Sequence, residues 1–124
     1  MMAAPGSKSE IMNLYFSCMD SADFDVAASL FASDAVYLRP PYVPGQAAFA
    51  GSGTQAIDGL DDIKAFWALR GKRNTDHRIV VEGAQGDEWF GEGAVTVDDS
   101  DARLFLCHVT FGEDLKIRRF VALR

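Results

Sequence analysis

Two histidines, His77 and His108, are the side chains best suited to acid/base chemistry here, because an unperturbed imidazole titrates near neutral pH. His77 lies in the segment NTDHRIV, directly after a predicted helix, and is our candidate for the general acid or base. The alternative is a buried histidine that only hydrogen-bonds a carbonyl group. The two interpretations differ in their consequences: replacing a base abolishes turnover, whereas replacing a structural histidine lowers stability.

An arginine and a tyrosine alternate on the run AVYLRPPY, which is typical of a strand that stops at the proline pair. Alternation puts Tyr37 and Arg39 on the same side of that strand. An aromatic wall beside a guanidinium suits an anionic aromatic or polyketide-like ligand. Two other outcomes stay open: Arg39 pairs with a protein carboxylate such as Asp34, or it lies at a solvent-facing rim beside Pro40.

Cysteine chemistry receives less support. Cys107 and His108 are adjacent on a predicted strand, so their side chains point to opposite faces and do not form a joint nucleophile or metal site. Phe105 shares the face of Cys107, and a free cysteine on an apolar strand is usually a packing residue. Cys18 and Cys107 form no paired pattern, which favours two reduced thiols.

Two further motifs match binding loops only formally. The run Gly51-Ser-Gly53-Thr-Gln-Ala56 has the dinucleotide spacing, but no strand–helix–strand unit surrounds it. Residues 98–101 (DDSD) resemble half of a calcium loop, yet the closing glutamate is absent and a hairpin turn fits better. We therefore expect no metal and no cofactor.

The elements that must position these residues can be read from periodicity. Ser7 and Glu10 have the form of a capping box ahead of a first helix, and Asp23 is the predicted cap of a second. A third helix begins with acidic groups near Asp58, and Leu69 is expected to widen its apolar stripe.

From residue 77 onward the pattern changes to period two. Three turns separate four strand-like runs, HRIVVE, EWFGEGAVTV, ARLFLCHVTF and LKIRRFVAL, which predict an antiparallel meander. On the first of these runs His77, Ile79 and Val81 are expected to share one face. Residues 43–56 show little periodicity and are predicted to be a loop or a weak hairpin.

Length and charge limit the remaining possibilities. A chain of 124 residues is expected to form a single domain, 1–124, with residues 1–7 as a flexible tail. The net charge of −6 argues against binding to nucleic acid or anionic membranes. No secretory start and no long apolar run is visible, so a cytoplasmic location is the expectation.

The order of elements predicts an α+β fold with three helices packed on one face of a curved antiparallel sheet, which encloses a conical pocket. The segments LYFSCMDSADFDVAASLFASDAVYLRPP, IDGLDDIKAFWALR and HVTFGEDLKIRRF resemble nuclear transport factor 2-like proteins, in particular the SnoaL-like and ketosteroid isomerase-like branches. The most specific part of the resemblance is LFASDAVY, an acidic turn that joins the second helix to the first strand.

The resemblance implies roles for several residues. Tyr15 falls where the isomerases keep an oxyanion-stabilising tyrosine, although a core tyrosine is an equal alternative. Arg39 and Cys107 stand where the isomerases keep carboxyl groups, which argues against the steroid isomerase mechanism because an arginine does not act as a general base. His77 resembles the histidine of the T-x-H segment in SnoaL-like dehydratases, whose second pocket histidine has no counterpart here.

Packing residues would also line a pocket between the first helix and the concave face of the sheet. The expected substrate-binding residues are Met19, Tyr37, Arg39, Trp67, Phe105 and Cys107. The resemblance further implies a homodimer formed through the outer sheet face, with Leu106, His108 and either Trp89 or Phe90 in the interface.

These observations predict a protein that binds a hydrophobic small molecule, anionic if Arg39 faces the pocket. The expected chemistry is that of an acid/base lyase, isomerase or cyclase, with His77 transferring protons and Tyr15 donating to an oxyanion. A non-catalytic ligand-binding or protein-interaction domain is the alternative, since fold alone does not determine function.

Overall fold

The computed structural model describes residues 7–40 and 53–123, and within these ranges the chain forms three helices and six strands. The elements follow one another as α1 (Lys8–Ser21), α2 (Phe24–Ser29), β1 (Phe31–Arg39), β2 (Gln55–Asp58), α3 (Leu60–Arg70), β3 (Thr75–Gln85), β4 (Glu88–Val97), β5 (Arg103–Phe111) and β6 (Ile117–Leu123). None of the helices in the described ranges is long and apolar enough to cross a membrane.

The helix ends follow the capping signals in the sequence. Ser7 Oγ accepts a hydrogen bond from the Glu10 backbone N–H at 3.2 Å, which confirms the predicted capping box and makes Ser7 part of the helix cap rather than of the tail. Asp23 caps α2 by accepting from the Val26 backbone N–H. Ala22 adopts a left-handed conformation at the end of α1, and this allows α2 to begin immediately.

All six strands belong to one sheet in the order β2-β1-β6-β5-β4-β3. The pairs within β3–β6 are antiparallel, as the turn signals predict, and β2 returns antiparallel to β1. The pair β1–β6 is parallel, so the sheet is mixed. Hairpin signals report only on strands that are neighbours in sequence, and they carry no information about this pairing. The predicted α+β cone fold is otherwise confirmed.

The core lies between the helices and the concave face of the sheet. Aromatic rings dominate its centre, where the Tyr15 ring contacts those of Phe16, Phe31, Trp67 and Phe120 with centroid distances of 4.9–6.4 Å. Aromatic pairs at these distances add to the free energy gained by burying their surface. The contacts tie α1 and α3 to β1 and β6, the elements that surround the site.

Two sequence predictions about side-chain direction are wrong. A β-bulge between Ile79 and Val81 shifts the register of β3, so Val81 lies exposed on the outer face instead of sharing the inner face with His77. Leu69 does not widen the apolar stripe of α3, because it is 69% exposed.

The loops agree with the sequence where the structure describes them. Asp98 and Asp99 both have positive φ in the turn between β4 and β5, the conformation of a tight hairpin turn. From the predicted loop 43–56, the structure describes the end, where β2 begins at Gln55. Residues 43–52, with the first two positions of the glycine-rich motif, and the tail 1–6 lie outside the described residues.

Candidate functional site

A cavity of about 50 Å³ lies between α1 and the concave face of the sheet. The described residues that line it come from α1, β1, the end of α3, β3, β5 and β6: Tyr15, Phe16, Met19, Tyr37, Arg39, Arg70, Arg73, His77, Phe105, Cys107, Phe120 and Ala122. No aspartate or glutamate is among them, and the described part of the chain holds no cluster of three or more metal-ligating side chains. The lining is therefore aromatic and cationic.

The structure brings together seven of the eight residues that the sequence nominated. The seven that line this cavity are Tyr15, Met19, Tyr37, Arg39, His77, Phe105 and Cys107. Trp67 is not among the lining residues, because its fully buried indole packs against Tyr15, Phe24 and Phe31 in the core. Its Nε1 has no hydrogen-bond partner among residues 7–40 and 53–123.

His77 is joined to a carboxylate that the sequence analysis missed. Asp20, the penultimate residue of α1, lies with Oδ1 2.5 Å from His77 Nδ1. The same carboxylate accepts from the Thr75 hydroxyl at 2.8 Å and from the His77 backbone N–H at 2.9 Å. The start of β3 thus holds Asp20 by three hydrogen bonds, and Asp20 in turn orients the imidazole.

This arrangement determines what His77 can do. A carboxylate next to Nδ1 favours the tautomer with the proton on Nδ1, so Nε2 carries the lone pair in the neutral ring. It also stabilises the imidazolium that forms when the ring accepts a proton. The Phe16 ring stacks on the imidazole at 5.3 Å and limits its rotation. A side chain that is 7% exposed, oriented and charge-compensated has the features of a general base.

Asp20 could have been found from spacing. It lies four residues after the buried Phe16, so it is on the inward face of α1 although its charge suggested the solvent side. The four-residue spacing from Phe16 to Asp20, together with the T-x-H segment of β3, is the signal from which this pair could have been predicted.

Tyr15 is a neutral hydrogen-bond donor in this site. Burial raises the pKa of Tyr15 well above its usual range, and neighbouring Tyr37, which also hydrogen-bonds the Tyr15 hydroxyl, adds to the rise, whereas Arg70 opposes it. The phenol therefore stays protonated at neutral pH and can donate a hydrogen bond to an oxygen atom. Tyr15 is a core residue and also lines the cavity.

Arg39 is buried at 8% exposure, which excludes the solvent-facing rim as its position. Its guanidinium lies 4.8 Å from the Phe66 ring centroid and 5.9 Å from that of Tyr37, and its Nε donates to the Pro40 carbonyl at 2.9 Å. Stacking on aromatic faces compensates part of the cost of burying this charge. Asp34 is not its partner, since that carboxylate pairs with Arg118 at 3.3 Å.

Arg70 and Arg73 also line the cavity, and the sequence analysis assigned neither to it. Basic residues at the end of a helix usually serve as favourable charges for its C-terminus. Arg70, however, follows Phe66 and Trp67 by four and three positions and so lies on the same buried face. Its guanidinium donates to the sulfur of Met19 at 3.7 Å.

The electrostatic position of Arg70 is unusual. Burial lowers the pKa of Arg70. The neighbouring Tyr15 and Tyr37 oppose this shift, and the nearby charges of Arg73 and Arg39 add to it. Within the described residues no carboxylate pairs with Arg70, and a thioether is a weak acceptor for a group with five donors. A half-buried cation with so little compensation is suited to receive an anionic ligand.

The other predictions about β5 are confirmed. Cys107 faces the cavity, whereas His108 lies on the outer face and hydrogen-bonds Glu88 at 2.9 Å. Cys18 and Cys107 are both free and buried. Burial raises the pKa of Cys18, which keeps that sulfur a thiol at neutral pH.

Known proteins were compared with the chain at the levels of sequence and structure. No protein-family model matches the sequence, and no curated protein matches it. Solved structures do match. One is a protein with a ketosteroid isomerase-like fold from Catenulispora acidiphila, solved in complex with trimethylamine, with 14% identity, a TM-score of 0.71 and coverage of 95% of this chain and 87% of that one.

Two further structures agree. A nuclear transport factor 2-like protein of unknown function from Burkholderia xenovorans has a TM-score of 0.70 at 16% identity and covers 92% of this chain and 79% of its own. A protein provisionally named a polyketide cyclase, from Sinorhizobium meliloti, has a TM-score of 0.69 at 19% identity, with coverage of 91% and 93%. The chain has the nuclear transport factor 2-like fold.

The nuclear transport factor 2-like fold explains why residues from both ends of the sequence meet in one cavity. Its helices cover the concave face of the sheet, so side chains from α1, β1 and β6 converge there. Identities below 20% leave the chemistry of the cavity to be argued from its own residues.

Proposed function

We propose that this protein binds a small anionic molecule in the central cavity and moves a proton on it, as an isomerase or a lyase does. The observation that carries the proposal is the position of Arg70: a guanidinium at the cavity with no carboxylate partner among the described residues. Arg39, held against the Phe66 ring of α3, supplies a second cation for the same ligand. Bidentate hydrogen bonding to an arginine is the usual way to hold a carboxylate or a phosphate.

Proton transfer is assigned to His77. Its link to Asp20 orients the ring and stabilises the charge that arises when Nε2 takes a proton. Tyr15, kept neutral by burial, would donate to the oxygen on which negative charge develops. Steroid isomerisation by paired carboxyl groups does not fit, because the cavity is lined by Arg39 and Cys107 where that mechanism needs acids.

Two structural neighbours are relevant to a small-molecule site in this fold. One matching protein is provisionally named a polyketide cyclase, which fits an acid/base enzyme, and another was solved with trimethylamine bound. A non-catalytic binding protein would use the arginines but would not need the Asp20–His77 pair.

Ligand binding can be tested with variants that separate charge from fold. Isothermal titration with short carboxylates should give binding to the native protein that Arg70→Gln weakens about tenfold or more. The matched control is Arg78→Gln, since Arg78 is exposed on β3 and does not line the cavity. Equal affinity in the two variants would contradict an anion site at Arg70.

Proton transfer needs its own readout. Nuclear magnetic resonance in D₂O detects exchange of hydrogen at the carbon next to a carbonyl group in a bound oxo acid. His77→Gln should abolish this exchange and retain binding, whereas retention of exchange in this variant would assign the chemistry elsewhere. Binding without exchange in the wild type would favour the non-catalytic alternative.

The outer face of the sheet supports a second proposal, a homodimer. Half-exposed apolar residues outline a groove of about 530 Å³ there: Val81, Phe90, Leu106 and Leu123. Phe90 stacks on His108 within this face, whereas Trp89 is buried in the core. Apolar patches of this kind usually mark interfaces. In light scattering after size exclusion, Leu106→Glu should be monomeric and Leu69→Glu, on exposed α3, should stay dimeric; a monomeric wild type would contradict the proposal.

A further inference from the structure

Thr75 and His77 share one carboxylate oxygen of Asp20. The Thr75 hydroxyl donates to Asp20 Oδ1 at 2.8 Å, and His77 Nδ1 lies 2.5 Å from the same oxygen. The other oxygen, Oδ2, accepts from the His77 backbone N–H at 2.9 Å. One oxygen therefore serves two side-chain donors, while the backbone of β3 holds the second oxygen.

This sharing changes the effect of Asp20 on the imidazole. A carboxylate beside a histidine favours the imidazolium, and an imidazolium has no lone pair with which to accept a proton. A hydroxyl that donates to the same oxygen stabilises the negative charge there, so that less is gained when the ring is protonated. The Thr75 hydroxyl thus opposes part of the effect of Asp20 on His77.

The outer face of the sheet contains the same arrangement at the second histidine. Glu88 Oε2 accepts from the Thr110 hydroxyl at 2.6 Å and lies 2.9 Å from His108 Nε2. The pKa of Glu88 is lowered, first by the hydrogen bond from Thr110 and next by the one from His108. In this exposed counterpart the threonine hydroxyl stabilises the carboxylate more than the histidine does.

The other groups around His77 are the same whether or not the shared hydroxyl is present. Asp76 and Arg78, its neighbours on β3, are exposed, and its partner on β4 is the apolar Val95. The titratable residues that line the cavity from α1, β1, the end of α3 and β5 are Tyr15, Tyr37, Arg39, Arg70, Arg73 and Cys107. A change at the hydroxyl therefore reaches the imidazole through the shared carboxylate.

We propose that Thr75 is a positioning residue that limits the base strength of His77 by drawing charge from Asp20 Oδ1. This inference rests on the proposed function, in which the neutral imidazole accepts a proton at Nε2. Thr75 keeps that lone pair available near neutral pH although a carboxylate lies against the ring. The carboxylate stays in place without the hydroxyl, because Nδ1 and the backbone N–H of His77 still bind its two oxygens.

Nuclear magnetic resonance tests the effect without any substrate, because the chain has two histidines whose ring signals can be titrated. Thr75→Val keeps the shape of the side chain and removes the donor. The midpoint of His77 should move upward, with its acid dissociation constant lowered about threefold or more. The midpoint of His108 should not move. Thr75→Ser retains the hydroxyl and should leave both midpoints unchanged.

Thr110→Val is the matched control, because it should move the midpoint of His108 and leave that of His77 unchanged. If Thr75→Val does not fold, Thr75→Ala removes the same donor and should give the same upward shift. In Asp20→Asn, which lacks the shared carboxylate, Thr75→Val should produce no upward shift.

An unchanged or lower midpoint of His77 in Thr75→Val overturns the inference, since a hydroxyl that only fixes Asp20 would release the carboxylate from the ring when removed. Hydrogen exchange in a bound oxo acid tests the function separately. Its dependence on pH should shift upward in Thr75→Val by as much as the imidazole midpoint. If the midpoint moves and the exchange profile does not, Thr75 acts as proposed and the assignment of proton transfer to His77 is wrong.

Discussion

Asp20 and His77 lie 57 positions apart in the chain, and their side chains are 2.5 Å apart in the structure. Three donors from the first residues of β3 converge on this one carboxylate of α1. A hydrogen-bonded pair with this geometry fastens the first helix to the sheet and prepares the imidazole for proton transfer at the same time.

Asp20→Asn should destabilise the protein. The substitution removes the negative charge and replaces an acceptor for three donors, and the loss of such a partly buried acceptor costs about 1–3 kcal/mol. Urea unfolding followed by circular dichroism measures the difference in the free energy of unfolding. Asp76→Asn is the control, because Asp76 is exposed on the same strand. Equal stability of the two variants would show that the pair contributes nothing.

Tyr15 should make the protein sensitive to alkali. Burial raises the pKa of Tyr15 in the folded state above the unfolded value of about 10. The folded state then binds more protons than the unfolded state above that pH, so this contribution to stability is complete below pH 10 and is lost as the pH rises further. Absorbance of phenolate should show one late tyrosine that is missing in Tyr15→Phe. If the late phenolate titration persists in Tyr15→Phe, its assignment to Tyr15 is contradicted.

Glu88 should influence stability on the acid side. Its hydrogen bonds to Thr110 and then His108 lower the pKa of Glu88, so its contribution is present above the unfolded pKa and is lost as the pH falls through the lower, folded value. Thr110→Val removes the larger cause. In carbon-detected magnetic resonance, the midpoint of Glu88 should move upward in this variant, and an unchanged midpoint would refute the role of Thr110.

Gly93 should tolerate no side chain. A β-carbon there would lie 2.2 Å from the Phe105 ring and 2.8 Å from the Arg78 carbonyl oxygen. Gly93→Ala is therefore expected to destabilise by about 1–3 kcal/mol, as other overpacked positions do, and to displace a ring that lines the cavity. Gly83→Ala is the matched control, since no atom lies within 4 Å of its β-carbon. Thermal unfolding compares the two, and similar midpoints would argue that Phe105 moves at no cost.

Local patterns in the sequence predict most of the fold. Capping residues locate α1 and α2, and alternation locates the faces of β5, where Phe105 and Cys107 point inward and His108 outward. The parallel pairing of β1 with β6 was not predicted, because it depends on contacts between distant segments. The bulge after Ile79 was not predicted either, because it depends on one added residue in a strand ladder.

Only part of the candidate site could be predicted from the sequence. His77, Tyr15 and Arg39 were recognised by residue type and by resemblance. Asp20 and Arg70 were missed because charged residues on helices are assigned to solvent by default, whereas their spacing from Phe16 and Phe66 places them inward.

The parallel contact between β1 and β6 also bears on the order of folding. Tyr37 pairs with Phe120 and Phe31 with Ile117, so β1 reaches the rest of the sheet only across a strand from the far end of the chain. Contacts that close such long loops form slowly compared with hairpins. The meander β3–β6 can therefore form first, and the cavity, whose Tyr37 and Arg39 come from β1, is completed only when the last strand has found the first.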